Sequence, residues 1–192
     1  MRPTCRPVKS PLVRTAEPLI HSAAPAGAVT EYRIRKRSRL KHKETRALIE
    51  RLQAALPGVQ LWPDAAAVEM GSLPEYDVIL VDGKVHGLVL ETQPFLSVRG
   101  LLAYRPSTRF VTVDMGAVRF LHNGADVMAP GIVEADAELQ PGDWCWIRDE
   151  RNKQPLGVGL CLQSGAQMVA GRKGKAVKSL HHIGDALWKV DA

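Results

Sequence analysis

Residues 110–131 read FVTVDMGAVRFLHNGADVMAPG, and this stretch decides the fold. Residues 110–113 are β-branched or aromatic, and residues 110–114 predict a short strand. Residues 115–122 predict two turns of helix. Asn123-Gly124 predicts the end of that helix, because both residues tolerate a left-handed backbone. The predicted elements are therefore a strand, a short helix and a glycine turn, and another strand follows directly.

That next strand begins at residues 127–128 and is interrupted at Pro130-Gly131. Within the preceding helix, an inward face is predicted for Met115, Val118 and either Leu121 or Phe120. Glycines beside a short helix let another backbone approach, and exposed amides there suit phosphates or base edges.

Asp114 and Asp126 flank the helix at a spacing compatible with a catalytic carboxylate pair. Local roles are favoured instead: Asp114 caps the helix, and Asp126 bonds to turn amides.

The sequence downstream predicts further short strands. Residues 143–148 alternate, with Trp144 and Trp146 on one face and Cys145 and Ile147 on the other. The tryptophans are predicted to be barrel core rather than base-stacking residues, and Cys145 and Cys161 to be inert buried thiols. Further elements are a strand, a short helix and two strands, at residues 156–162, 164–170, 176–183 and 186–190. Such a series is typical of a small barrel.

Upstream, residues 44–56 have a helical apolar period and end at Pro57-Gly58. Residues 76–81 and 84–91 predict a hairpin around Asp82-Gly83. Pro94 is predicted to open a second helix, whose apolar face is Phe95, Val98, Leu101 and Leu102. Helix, hairpin and helix form a compact α/β unit that ends near residue 106.

The formal net charge of +6 is unevenly distributed. Residues 1–60 hold 13 basic and 4 acidic side chains, whereas residues 109–192 hold ten of each. The basic run 33–43 either prolongs the first helix or approaches it as an extended arm. It indicates a polyanion partner, with nucleic acid favoured over a membrane because no apolar anchor accompanies it. The candidate accessory patch comprises Arg33, Arg35, Lys36, Arg37, Arg39, Lys41 and Lys43.

Composition excludes several classes of protein. The hydrophobic fraction of 45% excludes a wholly disordered chain. No run approaches the ~18 apolar residues of a membrane span. The cysteines provide neither a disulfide framework nor a zinc knuckle, which favours a reducing, cytoplasmic setting. Adjacent His181 and His182 point to opposite faces of a strand and cannot chelate one metal ion. No cofactor is expected.

Residues 1–30 are rich in proline and alanine and predict a disordered tail, with a transit peptide or a misassigned start as alternatives. Residues 31–108 are expected to form one domain and residues 109–192 another.

The strings VDMGAVRFLHNGADVMAPGIV at 113–133 and GKAVKSLHHIGDALW at 174–188, with GVG between them, closely resemble a PUA domain, an RNA-binding module. Residues 31–108 also resemble the α/β domain that precedes it in a stand-alone family. The resemblance implies an α+β protein: a small α/β domain, then a pseudo-barrel of about six strands with two short helices. Eukaryotic relatives act in translation reinitiation, ribosome recycling and non-standard initiation.

The resemblance also implies an RNA surface made by the first helix, the glycine loop, the second strand and the final strand. Lys173 and Lys175 are predicted to add phosphate charge. Carried over to this sequence, the surface comprises Gly116, Arg119, His122, Asn123, Gly124, Ala125, Asp126, Met128, Ala129, Pro130 and Gly131.

Three functions remain open at this point. The first is a non-catalytic RNA-binding protein that binds tRNA or structured RNA and is associated with the small ribosomal subunit. The second is an accessory specificity subunit of a pseudouridine- or archaeosine-type tRNA or rRNA modifying enzyme. The third is an adaptor in which the acidic stretch 61–108 docks a translation-factor partner.

Overall fold

The computed structural model describes residues 33–171 and 173–190, which lie within one compact unit, residues 31–192. The predicted tail, residues 1–30, lies outside the described residues. Within the described residues, no helix is long and apolar enough to cross a membrane.

The first sheet is antiparallel, with its strands hydrogen-bonded in chain order: β1 (Arg35–Arg39), β2 (Val68–Ser72), β3 (Asp77–Val81), β4 (Lys84–Leu90) and β5 (Gln93–Leu96). Its two helices are α1 (His42–Ala55) and α2 (Val98–Tyr104). The predicted hairpin is confirmed as β3 and β4, with Asp82 at φ 49° and Gly83 at φ 81° in the turn. The unit is a five-stranded sheet with two helices rather than a helix, hairpin and helix.

The second helix predicted for this unit begins later than expected. Pro94 and Phe95 pair with β4 as part of β5, so they do not open a helix. Ser97 starts α2 instead, because its side chain accepts a hydrogen bond from the amide of Gly100 at 3.3 Å. Leu102, predicted on the buried face, is 36% exposed.

The basic run adopts an extended conformation over most of its length. Residues 35–39 form β1 at the edge of the sheet and pair with β2, and α1 begins only at His42. Of the two alternatives that the sequence left open, the extended arm is confirmed, with its last two residues belonging to α1.

The second sheet has six strands: β6 (Phe110–Val113), β7 (Val127–Met128), β8 (Ile132–Ala135), β9 (Trp144–Asp149), β10 (Pro155–Cys161) and β11 (Lys175–His182). Their order is β7-β11-β10-β9-β6-β8, with β6 and β9 parallel and the other pairs antiparallel. The accompanying helices are α3 (Met115–His122), α4 (Gly165–Gly171) and α5 (Ala186–Lys189), with a 3-10 turn at Ala129–Gly131. The α+β class and the pseudo-barrel of six strands are confirmed.

The predicted last strand, residues 186–190, is wrong. Residues 186–189 form helix α5 because the Asp185 carboxylate caps it, accepting from the amide of Trp188 at 2.7 Å. The barrel therefore carries a third short helix, and β11 is its final strand.

The two faces of β9 serve different cores. Cys145 and Ile147 point into the barrel, where they pack with strands β6, β7 and β10. Trp144 and Trp146 point the other way, into the core of the first sheet. Trp144 stacks on Phe95 with ring centroids 5.3 Å apart. The tryptophans are buried as predicted, but they join the barrel to the first sheet rather than filling the barrel.

Candidate RNA-binding groove

Backbone amides in the first turn of helix α3 donate hydrogen bonds to two carboxylates. Asp114 Oδ1 accepts from the amide of Ala117 at 2.7 Å, which confirms the predicted cap. Glu150 Oε1 accepts from the amide of Met115 at 3.1 Å. Two carboxylates at this end disfavour a phosphate there. The expectation that these amides suit phosphates is therefore corrected: anions are expected elsewhere on the groove.

The turn after α3 is built on Gly124, which has φ +79° and donates its amide to the carbonyl of Leu121 at 2.9 Å. This left-handed conformation is the one the sequence predicts for Asn123-Gly124. A Cβ on Gly124 would lie 3.2 Å from Nε2 of His182, so the turn packs closely against the end of β11. A glycine here satisfies both the backbone conformation and the space.

Asp126 links the turn to the final strand. Its Oδ1 accepts from the amide of Ser179 at 3.1 Å, and its Oδ2 lies 3.0 Å from Nζ of Lys175. The partner amide belongs to β11 rather than to the turn, which corrects the predicted role of Asp126. The lysine side chain is 63% exposed, so this ion pair sits at the surface.

A groove of about 630 Å³ runs between α3, β7 and the start of β11. The buried side chains of Leu121 and Val127 line its apolar base. Gly131 packs closely against α3, because a Cβ added to it would lie 3.0 Å from the Cβ of Ala117. Most of the residues predicted to bind RNA line this groove: Gly116, Arg119, Ala125, Asp126, Met128, Pro130, Gly131 and Lys175.

The other predicted residues lie outside the groove lining. His122 is exposed at the end of α3, Asn123 and Gly124 are exposed on the turn after it, and Lys173 is exposed before β11. Ala129 is fully buried, so its side chain belongs to the barrel core rather than to the surface.

Sequence reasoning missed the exposed apolar side chains of this groove. Leu121 faces inward, whereas Phe120 is 54% and Met128 is 47% exposed on the groove lining. Met115, which was predicted to face inward, is 36% exposed and lies outside that lining. The corresponding signal is the helical spacing of Gly116 and Phe120, which four residues apart share one face. Phe120 therefore stands on the groove side of α3.

The buried histidine and thiols have structural partners. His181 is 1% exposed and its Nδ1 lies 2.7 Å from Oδ2 of Asp185. Burial disfavours the charged carboxylate, but hydrogen bonds from His181 and from the amides of Trp188 and His182 outweigh it and lower the pKa of Asp185. A hydrogen bond with Cys161, together with burial, raises the pKa of the Cys145 thiol. Such thiols are poor nucleophiles.

The basic surface, defined as the seven residues of the accessory patch, lies on β1 and around the start of α1. All five residues of β1 are exposed. Arg37 pairs with Glu69 at 2.6 Å. Among the residues that the structure describes, none of the other six forms an ion pair with a carboxylate: Arg33, Arg35, Lys36, Arg39, Lys41 and Lys43. These cations are available to a polyanion.

The described part of the chain contains no candidate metal centre. Across residues 33–171 and 173–190, no group of three or more His, Cys, Asp or Glu side chains could hold a metal ion.

Comparison with known proteins identifies the class to which this fold and groove belong. Residues 109–183, which contain the six-stranded sheet and the groove, match the family model of the PUA domain. The crystal structure of hypothetical protein PH0734.1 from Pyrococcus horikoshii has a TM-score of 0.71 at 32% identity, covering 81% of this chain and 99% of that one.

Two relatives extend the similarity to the first sheet. Methanocaldococcus jannaschii MJ1432 is 37% identical over 156 residues, covering 81% of this chain and 96% of the relative. Translation machinery-associated protein 20 of Saccharomyces cerevisiae is 26% identical over 167 residues, covering 81% of this chain and 92% of the relative. The chain belongs to the family of stand-alone PUA-domain proteins that includes MJ1432.

Proposed function

We propose that this protein is a non-catalytic, cytoplasmic RNA-binding protein that holds tRNA or another structured RNA in the α3 groove, in connection with translation initiation or ribosome recycling. The observation that carries the proposal is the position of the groove. It lies inside the PUA match, and its lining combines Arg119 and Lys175 with an apolar base. The name of the Saccharomyces cerevisiae relative supports the link to translation.

The non-catalytic part of the proposal rests on what the polar side chains of the module already do. Asp114 caps α3, Asp126 binds the amide of Ser179, and His181 is buried against Asp185. Acid–base catalysis needs a titratable group within reach of its substrate. These side chains are occupied by contacts that maintain the fold.

The basic surface has a separate task in this proposal. Its exposed arginines and lysines attract the phosphate backbone of any RNA, which adds affinity without sequence preference. The groove then selects the RNA by shape. We assign the two tasks to two domains, residues 31–108 and residues 109–192.

The first experiment measures binding of the full chain to tRNA over a range of salt concentrations. Neutralising five single-strand phosphates gives a slope of about −3.5 in a plot of log affinity against log salt. We expect a slope of that size. An affinity that is independent of salt, or no binding at low salt, would refute the proposal.

The second experiment identifies the natural partner. Crosslinking in cells followed by sequencing of the attached RNA should recover tRNA or small-subunit rRNA, and the protein should sediment with small ribosomal subunits. Recovery of a translation factor without RNA would favour the adaptor role. Recovery of a modifying enzyme would favour the accessory-subunit role.

A further inference from the structure

A second cavity, of about 440 Å³, lies where the first sheet meets the barrel. It is lined by α1 and the start of β5, and by residues that directly precede β6 and begin β9. We call it the junction cleft and define it by Arg51, Pro94, Arg109, Asp143 and Trp144. It shares no lining residue with the α3 groove, and its volume falls within the range of ~300–1,000 Å³ typical of ligand sites.

Two arginines from distant parts of the sequence line the junction cleft. Arg51 lies on α1 and is exposed, and the described residues provide no carboxylate within ion-pair distance of it. Arg109 lies just before β6 and faces Asp143, with Nη1 3.4 Å from Oδ2. These three are the charged residues of the lining, so the cleft has an excess of one positive charge.

The ion pair between Arg109 and Asp143 is long. Charge-assisted N–H···O bonds are typically ~2.7–2.9 Å, and Arg37 approaches Glu69 to 2.6 Å elsewhere in this protein. The Asp143 oxygen that faces Arg109 also accepts from the amide of Gln140 at 2.9 Å. Within the described residues the Arg109 guanidinium donates no hydrogen bond of normal geometry. Its N–H donors are therefore available to a ligand.

The backbone of Arg109 has a conformation that is costly for a residue with a side chain. Its φ is +58°, in the left-handed region that residues other than glycine rarely adopt. Two hydrogen bonds hold it there: its amide donates to Oδ2 of Asp136 at 2.6 Å, and its carbonyl accepts from the amide of Trp146 at 3.0 Å. Strained residues of this kind cluster at binding sites. The fold thus fixes Arg109 at the cleft at a cost in backbone energy.

We propose that the junction cleft binds the phosphate group of a phosphate ester, with Arg51 and Arg109 as its cations and the buried residues Pro94 and Trp144 beside the organic part of the ligand. Arginine suits this role because its planar guanidinium donates two parallel hydrogen bonds to phosphate oxygens. A free nucleotide and the phosphodiester backbone of an RNA offer the same chemistry, and the experiment distinguishes these two sources. The proposal goes beyond the function assigned to the α3 groove and does not depend on it.

The test titrates the ¹⁵N-labelled full chain with sodium phosphate, and separately with adenosine monophosphate, at an ionic strength held constant with sodium chloride. We expect saturable NMR shifts of the Arg51 and Arg109 Nε–H signals that chloride alone does not produce. Because hydrogen bonds to charged groups are the stronger class, Arg109→Gln should weaken phosphate binding by about tenfold or more. Arg51→Gln should weaken it as well, and this exposed change leaves the Arg109 backbone undisturbed.

Asp143→Asn should act in the opposite direction. It removes the carboxylate charge that competes with the phosphate for Arg109, while the amide oxygen can still accept from Gln140. Phosphate binding should strengthen by about twofold to fivefold. A purely structural role for the pair between Arg109 and Asp143 does not predict this gain.

Arg46→Gln and Glu50→Gln are the matched controls. Both residues lie on α1, pair with each other at 3.6 Å and have side chains that are 76% and 68% exposed. Neither lines the cleft. They remove the same charges as Arg109→Gln and Asp143→Asn, and each should bind phosphate within about twofold of the parent chain, since solvent and salt screen distant surface charges. Thermal unfolding of every variant establishes that the fold is kept.

The same variants measured with tRNA identify the source of the phosphate. If Arg109→Gln weakens tRNA binding as much as phosphate binding, the cleft holds the RNA backbone; if tRNA binding is unchanged, it holds a free nucleotide. Shifts that do not saturate, equal phosphate binding by Arg109→Gln and the parent chain, or an equal loss in Arg46→Gln would overturn the proposal. A parent chain that binds phosphate in the cleft but no RNA would refute the proposed function and leave this site standing.

Discussion

The groove beside α3 and the basic surface at β1 differ in how their charges are arranged. In the basic surface the cations are exposed, and Arg37 alone is paired with a carboxylate among the described residues. In the groove, Lys175 is paired with Asp126, and residues 109–192 hold equal numbers of basic and acidic side chains. A dense array of cations attracts any polyanion, whereas a balanced groove discriminates by shape. The basic surface, whose charge first indicates a nucleic-acid partner, therefore lies apart from the groove that we propose selects the RNA.

Neutralising the basic surface should have the largest effect on RNA binding. The variant Arg35→Gln, Arg39→Gln, Lys41→Gln and Lys43→Gln removes four charges for which the described residues provide no carboxylate partner. With ~0.7 counterions released per single-strand phosphate, the slope of log affinity against log salt should fall by about 2.8. The corresponding loss of affinity at ~0.1 M salt, relative to 1 M salt, is about 600-fold. Titrations at several salt concentrations measure both quantities, and an unchanged slope would remove the basic surface from the interface.

Narrowing the groove should have a smaller effect of a different kind. A Cβ on Gly131 would lie 3.0 Å from the Cβ of Ala117, so Gly131→Val pushes α3 outward and fills the groove. We expect roughly tenfold weaker binding of structured RNA, a loss of about 1.4 kcal/mol, with the salt slope unchanged.

The control is Gly171→Ala at the end of α4, where an added Cβ meets nothing within 4 Å. It should leave RNA binding unchanged. Equal affinity of Gly131→Val and the parent chain for structured RNA would place the binding surface elsewhere.

Asp185, a partly buried carboxylate just after β11, gives the barrel a pH dependence. The pKa of Asp185 is lowered in the folded protein, so its contribution to stability is full above its unfolded pKa of ~3.9 and is lost as pH falls through the folded value. Asp185→Asn should lower the free energy of unfolding by about 1 kcal/mol at pH 7, as expected for a weakened hydrogen bond. The difference from the parent chain should shrink below about pH 4. Urea unfolding at both pH values measures it, and a constant difference would exclude the carboxylate charge as the cause.

Removing the lysine at the groove rim should have the smallest effect. Lys175→Gln breaks an exposed ion pair with Asp126, which is worth ~0.2–1 kcal/mol in such settings. The salt slope for RNA should fall by about 0.7, the contribution of one phosphate. A loss as large as that of the four-site variant would mean that the groove, and not β1, holds most of the RNA backbone.

Local signals in the sequence were sufficient for several elements. Helix α3 has the predicted residues 115–122, with the predicted cap at Asp114 and the predicted turn at Gly124. The hairpin at Asp82-Gly83 is also where the sequence indicates it. In each case one or two residues carry the conformational requirement, so no distant contact is needed.

The missed elements depend on distant partners or on a competing cap. The helical apolar pattern predicted from Phe95 to Leu102 begins too early, because β4 pairs with residues 93–96 and Ser97 begins the helix later. Asp185 caps α5, where a last strand was predicted after a turn. The side chains of Arg35–Arg39 carry no apolar pattern, and this segment becomes a strand because β2 pairs with its backbone.

The groove itself was only partly predictable. The resemblance supplied most of its lining residues, but the exposure of Phe120 and the burial of Ala129 depend on how α3 and the 3-10 turn sit on the barrel. Similarly, no local signal shows that the two tryptophans face the first sheet, because alternation assigns residues to two faces without saying what covers each.

The most direct measurement is the ratio of the dissociation constants for polyuridine and for tRNA, determined for the parent chain and for the four-site variant of the basic surface. If the groove selects RNA and the basic surface adds only general attraction, both constants rise by about the same factor and the preference for tRNA is kept. A ratio that falls to one in the variant would show that the basic surface carries the selectivity, contrary to the role proposed for the groove.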